Sequence, residues 1–178
     1  MSNYKIVFTG PVGAGKTTAI SSISDEAPMQ TDKLASDMTK SMKKSTTVAM
    51  DYGTIKLTDG ELIHLYGTPG QERFDFMWQI LTKGGIGLVL LLDNSRENPF
   101  QDLDFFLKAF QTFIDETTVV IGVTQSDVSN KPTLEEYRLQ LRERELNVPI
   151  FEVDARERKD VSLLIQSLLY TLDPVLNE

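Results

Sequence analysis

The stretch F-T-G-P-V-G-A-G-K-T-T-A-I, residues 8–20, sets three glycines, a lysine and three threonines between two apolar segments. Gly10, Gly15, Lys16 and Thr17 fall on the spacing G-x-x-x-x-G-K-[ST]. The chemistry of that spacing is the cradling of phosphate. Backbone N–H groups converge on the anion only where side chains do not block the approach, which calls for glycine. A helix beginning at Gly15 adds roughly half a positive charge at the same point. Lys16 then reaches the terminal phosphates, and the Thr17 hydroxyl is placed to ligate Mg²⁺. Gly10, Gly13, Ala14, Gly15, Lys16, Thr17 and Thr18 are the expected nucleotide-binding residues of this loop. The competing reading is a glycine-rich turn that serves tight packing alone.

The loop needs a strand before it and a helix after it. Residues 4–9 (Y-K-I-V-F-T) read as a strand and 15–24 as a helix. Residues 25–46 are polar with little periodicity, and an irregular segment that long inside a compact domain is usually functional or mobile. The runs at 48–57 and 62–66 read as a hairpin turned by Asp59-Gly60. Helix signals cover 72–82. The runs at 86–93 and 118–124 are apolar on both faces, as in strands covered by helices on either side. Pro99 opens a helix reaching about Phe113, residues 133–145 form a charged helix, 148–153 a last strand and 161–172 a closing helix. The order β-α-β-β-α-β-α-β-α-β-α, without repeat or break, predicts one α/β domain over 1–178. Its sheet is six-stranded and mostly parallel, with one antiparallel edge strand.

A second motif follows the strand L-I-H-L-Y: Gly67-Thr68-Pro69-Gly70-Gln71-Glu72-Arg73-Phe74. It resembles the D-x-x-G-Q-E-R-F segment of Ras-like small GTPases. The strand order, the length and the stretch S-T-T-V-A-M-D-Y-G fit the same family over essentially the whole chain. Its closest look is to prokaryotic small GTPases related to the MglA group. The resemblance implies the three-layer P-loop NTPase fold, GTP or GDP as ligand, Mg²⁺, and slow hydrolysis of GTP to GDP. It assigns the γ-phosphate contact to the Gly70 amide and orientation of the attacking water to Gln71. Lys16 stabilises the transferring phosphoryl group, and Thr47, with Thr46 as neighbouring candidate, closes over Mg²⁺. Thr124-Gln125-Ser126-Asp127 stands where the family has N-K-x-D, so Asp127 accepts from the guanine N1–H and amino group. Asp154-Ala155-Arg156 resembles the S-A-K loop, with the Ala155 amide on the guanine carbonyl.

Several positions depart from the family. Gly67 replaces the aspartate that serves Mg²⁺, leaving Asp51 or Asp37 to substitute. Gln125 replaces the lysine that flanks the base, and Thr124 the asparagine that braces the loop. Val12 stands where many relatives keep glycine, and Pro69 stiffens the second switch. No arginine lies between 25 and 72, so the first switch brings no arginine finger. Arg73, beside Gln71, reads equally as a surface residue. Unaided hydrolysis is therefore expected to be slow, with a regulator to accelerate it, which the resemblance to the MglA group implies is a roadblock-domain activating partner.

A net charge of -8 and a pI near 4.7 argue against nucleic acid or an anionic membrane as partner. There is no cysteine, no run of about 18 apolar residues, and neither a signal peptide nor a lipidation pattern at the termini. The expectation is a cytoplasmic protein without a membrane anchor. His64 reads as a packed strand residue rather than a base. Lys40, Lys43 and Lys44 suit either an acidic partner or solvent. Phe100, Phe105, Phe106, Phe110 and Phe113 read as core, and Phe74, Phe76, Met77 and Trp78 as either core or a nucleotide-dependent partner surface. Two rivals differ in class. A nucleotide or small-molecule kinase leaves G-T-P-G-Q unexplained, and a pseudo-GTPase scaffold holds nucleotide without hydrolysing it.

Overall fold

The computed structural model describes residues 3–26, 29–30 (backbone only), 50–69 and 75–172. Seven strands form one sheet in the order β2-β3-β4-β1-β5-β6-β7. They are β1 (Asn3–Thr9), β2 (Met29–Gln30), β3 (Asp51–Lys56), β4 (Leu62–Gly67), β5 (Gly87–Asp93), β6 (Val119–Thr124) and β7 (Ile150–Glu152). Pairing is parallel from β4 through β1, β5 and β6 to β7. β3 runs antiparallel to β4 and to the short β2. The six strands expected from the sequence are all present, and the two-residue β2 extends the sheet beyond β3.

The hairpin closes as its turn residues dictate. Gly60 takes a φ of 85°, accessible at little cost only without a Cβ. The Asp59 carboxylate accepts from the Glu61 N–H at 3.0 Å.

Alternation along the strands splits the core into two layers. Ile6, Phe8, Val89, Leu91 and Val120 face α1 (Lys16–Ile23) and the last helix, α6 (Arg158–Leu172). Val7, Leu88, Leu90, Leu92, Val119, Ile121 and Val123 face the opposite side. There they meet Trp78 of α2 (Asp75–Thr82), Phe106 of α3 (Pro99–Ala109), Ile114 of α4 (Gln111–Glu116) and Tyr137 of α5 (Leu134–Glu143). Strands this apolar on both faces are stable only between two helical layers.

The expected single helix from Pro99 to about Phe113 is two helices broken at Phe110. Phe110 accommodates the break with its side chain 3% exposed and stacked on Trp78, ring centroids 5.1 Å apart. The hydrogen bonds Phe110 N–H to Phe106 C=O and Ile114 N–H to Phe110 C=O persist through it. The apolar face is thus continuous across the break, which explains why periodicity alone does not reveal it. The phenylalanine stripe is core or packs against it, as are Met77 and Trp78, whereas Phe76 is exposed. His64 sits mid-strand, its Nδ1 2.7 Å from the Tyr52 hydroxyl and its ring stacked on that tyrosine.

This topology determines where a ligand can lie. The carboxyl ends of β1, β4, β5, β6 and β7 all point to one edge of the sheet. The chain leaves β1 for α1 on one face and β5 for α3 on the other. The crevice outside such a switch point is where open α/β sheets bind ligands.

Candidate nucleotide-binding site

The glycine loop occupies that switch point. Gly10 has a φ of 144°, and a Cβ there would come within 2.1 Å of the Leu91 carbonyl oxygen. The loop leaves β1 so close to β5 that only glycine fits. Gly13 and Gly15 also take positive φ, 85° and 97°. Gly15 caps α1 with no side-chain hydrogen bond, and the first turn of α1 carries no acidic residue. The leading amides of the helix are thus neither capped by the Gly15 position nor faced by an acidic residue of the helix's own first turn, which suits an anion site.

Lys16 is 7% exposed and donates from Nζ to the Gly10 carbonyl at 2.7 Å and the Pro11 carbonyl at 2.8 Å. Burial lowers its pKa to about 8, with Asp51 opposing the shift and Arg96 adding to it. A cation held with little solvation is one that an incoming anion stabilises. Val12 is 56% exposed at the crest of the loop.

The other strand ends complete the edge. Thr9 and Thr68 join hydroxyls at 2.8 Å behind the loop. The Trp78 indole N–H donates to the Pro69 carbonyl at 3.0 Å, anchoring the chain just before Gly70. The Thr124 hydroxyl donates to the Ala14 carbonyl at 2.8 Å, with the Leu92 carbonyl at 3.2 Å as second acceptor of the same proton. The brace expected of an asparagine is therefore made by a threonine, and it ties the end of β6 to the glycine loop.

Beyond Thr124 a cleft of about 520 Å³ opens. Ala14, Gly15 and Thr18 form one wall, Thr124, Gln125 and Asp127 a second, and Asp154, Ala155 and Arg156 a third. Three segments far apart in sequence thus meet around one ligand-sized space. Gln125 adopts a φ of 61°, which leaves its carbonyl to accept from the Val128 and Ser129 amides at 3.0 Å. Arg156 forks onto the Asp154 carboxylate, with its nearest nitrogen at 2.7 Å, and approaches Asp127 at 4.0 Å. The Arg156 guanidinium holds the Asp154 carboxyl well below the usual carboxylate range.

Some contributors are not evident from sequence patterns. Ser126 lines the cleft, and its hydroxyl is buried without a partner among the described residues. Asp160 accepts from the Asp154 N–H at 2.8 Å, fixing the start of the third wall. Asp93, 8% exposed, accepts from the Ser95 amide and hydroxyl, and its other oxygen lies near Gly13. Its position at the end of an all-apolar strand is the signal that could have singled it out. Gly70, Gln71, Arg73, Phe74, Thr46, Thr47, Asp37, Lys40, Lys43 and Lys44 lie outside the described residues.

Such a loop at such a switch point defines a P-loop nucleotide-binding protein of the α/β class. A family model described as a conserved hypothetical ATP binding protein matches residues 26–176, a span that begins after the glycine loop. The mutual gliding-motility protein MglA of Myxococcus xanthus is 30% identical over 166 residues, 86% of this chain and 82% of that one. An uncharacterised protein of Methanocaldococcus jannaschii is 30% identical over 133 residues, 75% and 77% of the two chains. The Ras-related protein Rab-27A of Sus scrofa is 25% identical over 180 residues, 93% and 76%. The chain belongs to the Ras-like small GTPases, alongside MglA. Among the described residues no helix is long and apolar enough to cross a membrane.

Proposed function

We propose that this protein is a GTP-dependent switch, a single domain over 1–178 acting in the cytoplasm. It binds GTP and GDP with Mg²⁺ and hydrolyses GTP slowly without a partner. The observation that carries the reading is the cleft that joins the glycine loop to the loops bearing Asp127 and Ala155. It gives a phosphate end and a base end to one ligand.

At the phosphate end, the amides of Gly13 to Thr18 and the Lys16 ammonium receive the polyphosphate. Lys16 exchanges two neutral carbonyls for an anion. At the base end Asp127 accepts two hydrogen bonds that guanine donates and adenine does not offer in that pattern, and the Ala155 amide donates to the guanine carbonyl. Gln71 orients the attacking water, and the Gly70 amide meets the γ-phosphate. Mg²⁺, when bound, neutralises charge developing on the phosphates. The residues to hold it are Thr17 and Thr47, and the Thr17 oxygen, exposed on the first turn of α1, is a hard donor of the kind Mg²⁺ takes. Among the described residues no cluster of three acidic or histidine side chains offers a cage.

The segments around 37–47 and 67–80 then change conformation between the GTP and GDP states, as switch loops of the family do. A regulator, of the roadblock class by the resemblance to the MglA group, accelerates the reaction, and a pull-down returning no such protein counts against it. Calorimetry with GTP, GDP and ATP, in Mg²⁺ and in EDTA, together with single-turnover hydrolysis, tests the reading. The expected result is guanine preference, Mg²⁺ dependence and slow turnover. Equal affinity for ATP overturns the base assignment. GTP bound tightly but never hydrolysed, even with partner, identifies a scaffold instead.

A further inference from the structure

The family aspartate at position 67 is a glycine here, and the structure shows what fills the space. Gly67, the last residue of β4, lies directly opposite Asp51, the first residue of β3. A Cβ built on Gly67 would meet the Asp51 Cβ at 3.0 Å and its Oδ2 at 3.1 Å, with Ile20 Cδ1 also at 3.1 Å. The place of a side chain at 67 is thus taken by the carboxylate of the facing strand. Paired positions of an antiparallel ladder project to the same face, about 5 Å apart, so a carboxylate can cross from one strand to the other and keep its destination.

That destination is the metal-side hydroxyl of the P-loop. Asp51 Oδ2 accepts from the Thr17 hydroxyl at 2.6 Å. A threonine hydroxyl has one proton. With that proton committed to Asp51, the oxygen lone pairs are left for a cation, and the carboxylate fixes which way they point. The two observations are independent. One is a hydrogen bond to the ligating group, the other a space at Gly67 filled by the Asp51 side chain together with the tip of Ile20.

Resting on the nucleotide reading above, we propose that Asp51 is the positioning carboxylate of the Mg²⁺ site, transposed across the β3–β4 pair, and that Gly67 is glycine because Asp51 occupies its volume. The residue acts through Thr17. A role confined to tethering α1 to β3 would affect stability and leave metal dependence alone.

The test reads metal affinity rather than turnover. Release of a fluorescent GDP analogue is followed across Mg²⁺ concentrations, with Mn²⁺ binding to the GDP complex measured by electron paramagnetic resonance. Asp51→Asn is expected to weaken apparent Mg²⁺ affinity by about 10–100-fold. Gly67→Asp alone overfills the space and gains nothing. The double variant D51A/G67D returns the carboxylate to the other strand and recovers most of the Mg²⁺ effect. An Asp51→Asn protein with the parent's Mg²⁺ and Mn²⁺ affinities overturns the proposal. A parent whose GDP release ignores Mg²⁺ overturns it too while sparing the nucleotide reading, and a parent that binds no GDP removes both.

Discussion

The two ends of the cleft are built on different principles. The phosphate end is backbone and burial. Gly10 is pressed against β5, Lys16 is nearly enclosed, and Thr124, 3% exposed, clasps the loop from β6. The base end is exposed side chains. Asp127 and Arg156 have side-chain exposures of 70% and 69%, and their nearest atoms stand 4.0 Å apart. The proposed phosphate end is therefore set by the fold itself, whereas the proposed base end rests on side chains that the fold leaves exposed. Changes at the first end should act on folding and on all nucleotides alike. Changes at the second should act on which nucleotide is held.

The largest expected effect breaks the phosphate end outright. Gly10→Ala drives a methyl into the Leu91 carbonyl at a φ unsuited to alanine and should cost about 3–5 kcal/mol of stability, read by denaturant unfolding. A near-native midpoint would show that the loop can move away from β5.

Next, Lys16→Ala should weaken GTP and GDP on the order of a hundredfold or more, since it removes the buried charge facing the phosphates. If guanosine nucleotides bind as well as to the parent, the phosphate end is misassigned. The same lysine carries a pH signature. Its pKa of about 8 in the free protein rises when an anion binds. Below pH 8 the group is charged before and after binding, so affinity does not follow pH through it. Above pH 8 binding must take up a proton, so affinity falls by up to about tenfold per pH unit. Lys16→Arg should flatten that slope, and an unchanged slope would exclude Lys16 as its source.

Asp127→Ala sharpens the comparison from the other side. It should lower the preference for GDP over ADP by about 10–100-fold, the worth of hydrogen bonds to a charged acceptor, and leave the unfolding midpoint in place. An equal loss for both nucleotides would mean that Asp127 supports the loop instead of reading the base.

Thr124→Val leaves the Ala14 carbonyl without its buried donor and should cost about 1–3 kcal/mol of stability. Thr124→Ser should recover most of it. Arg156→Ala, at an exposed ion pair, should leave stability unchanged and shift only the affinity for nucleotide, which a fluorescence titration would detect.

The fold was legible wherever the signal is local. The runs at 86–93 and 118–124 become the buried strands Gly87–Asp93 and Val119–Thr124 because only a two-sided core tolerates them. Asp59-Gly60 makes the hairpin turn through its own backbone freedom. Boundaries were less legible. The break at Phe110 is invisible because the apolar face is continuous through it. The last helix starts at Arg158, three residues before the expected 161, since its charged first turn has no apolar periodicity.

What the order of residues determined by itself is the chemistry of one short loop and the strand and helix on either side of it, since glycines, a lysine and a threonine at that spacing act through backbone geometry that neighbours in the chain dictate. Only the tertiary structure decided that Asp51 faces Gly67 and grips Thr17, that Thr124 clasps Ala14, and that Asp127 and Ala155 share a cleft with Gly15. Those partners lie from 16 to 140 residues apart, and strand register and sheet order bring them together. A one-residue slip in β3 would have turned Asp51 to the other face of the sheet.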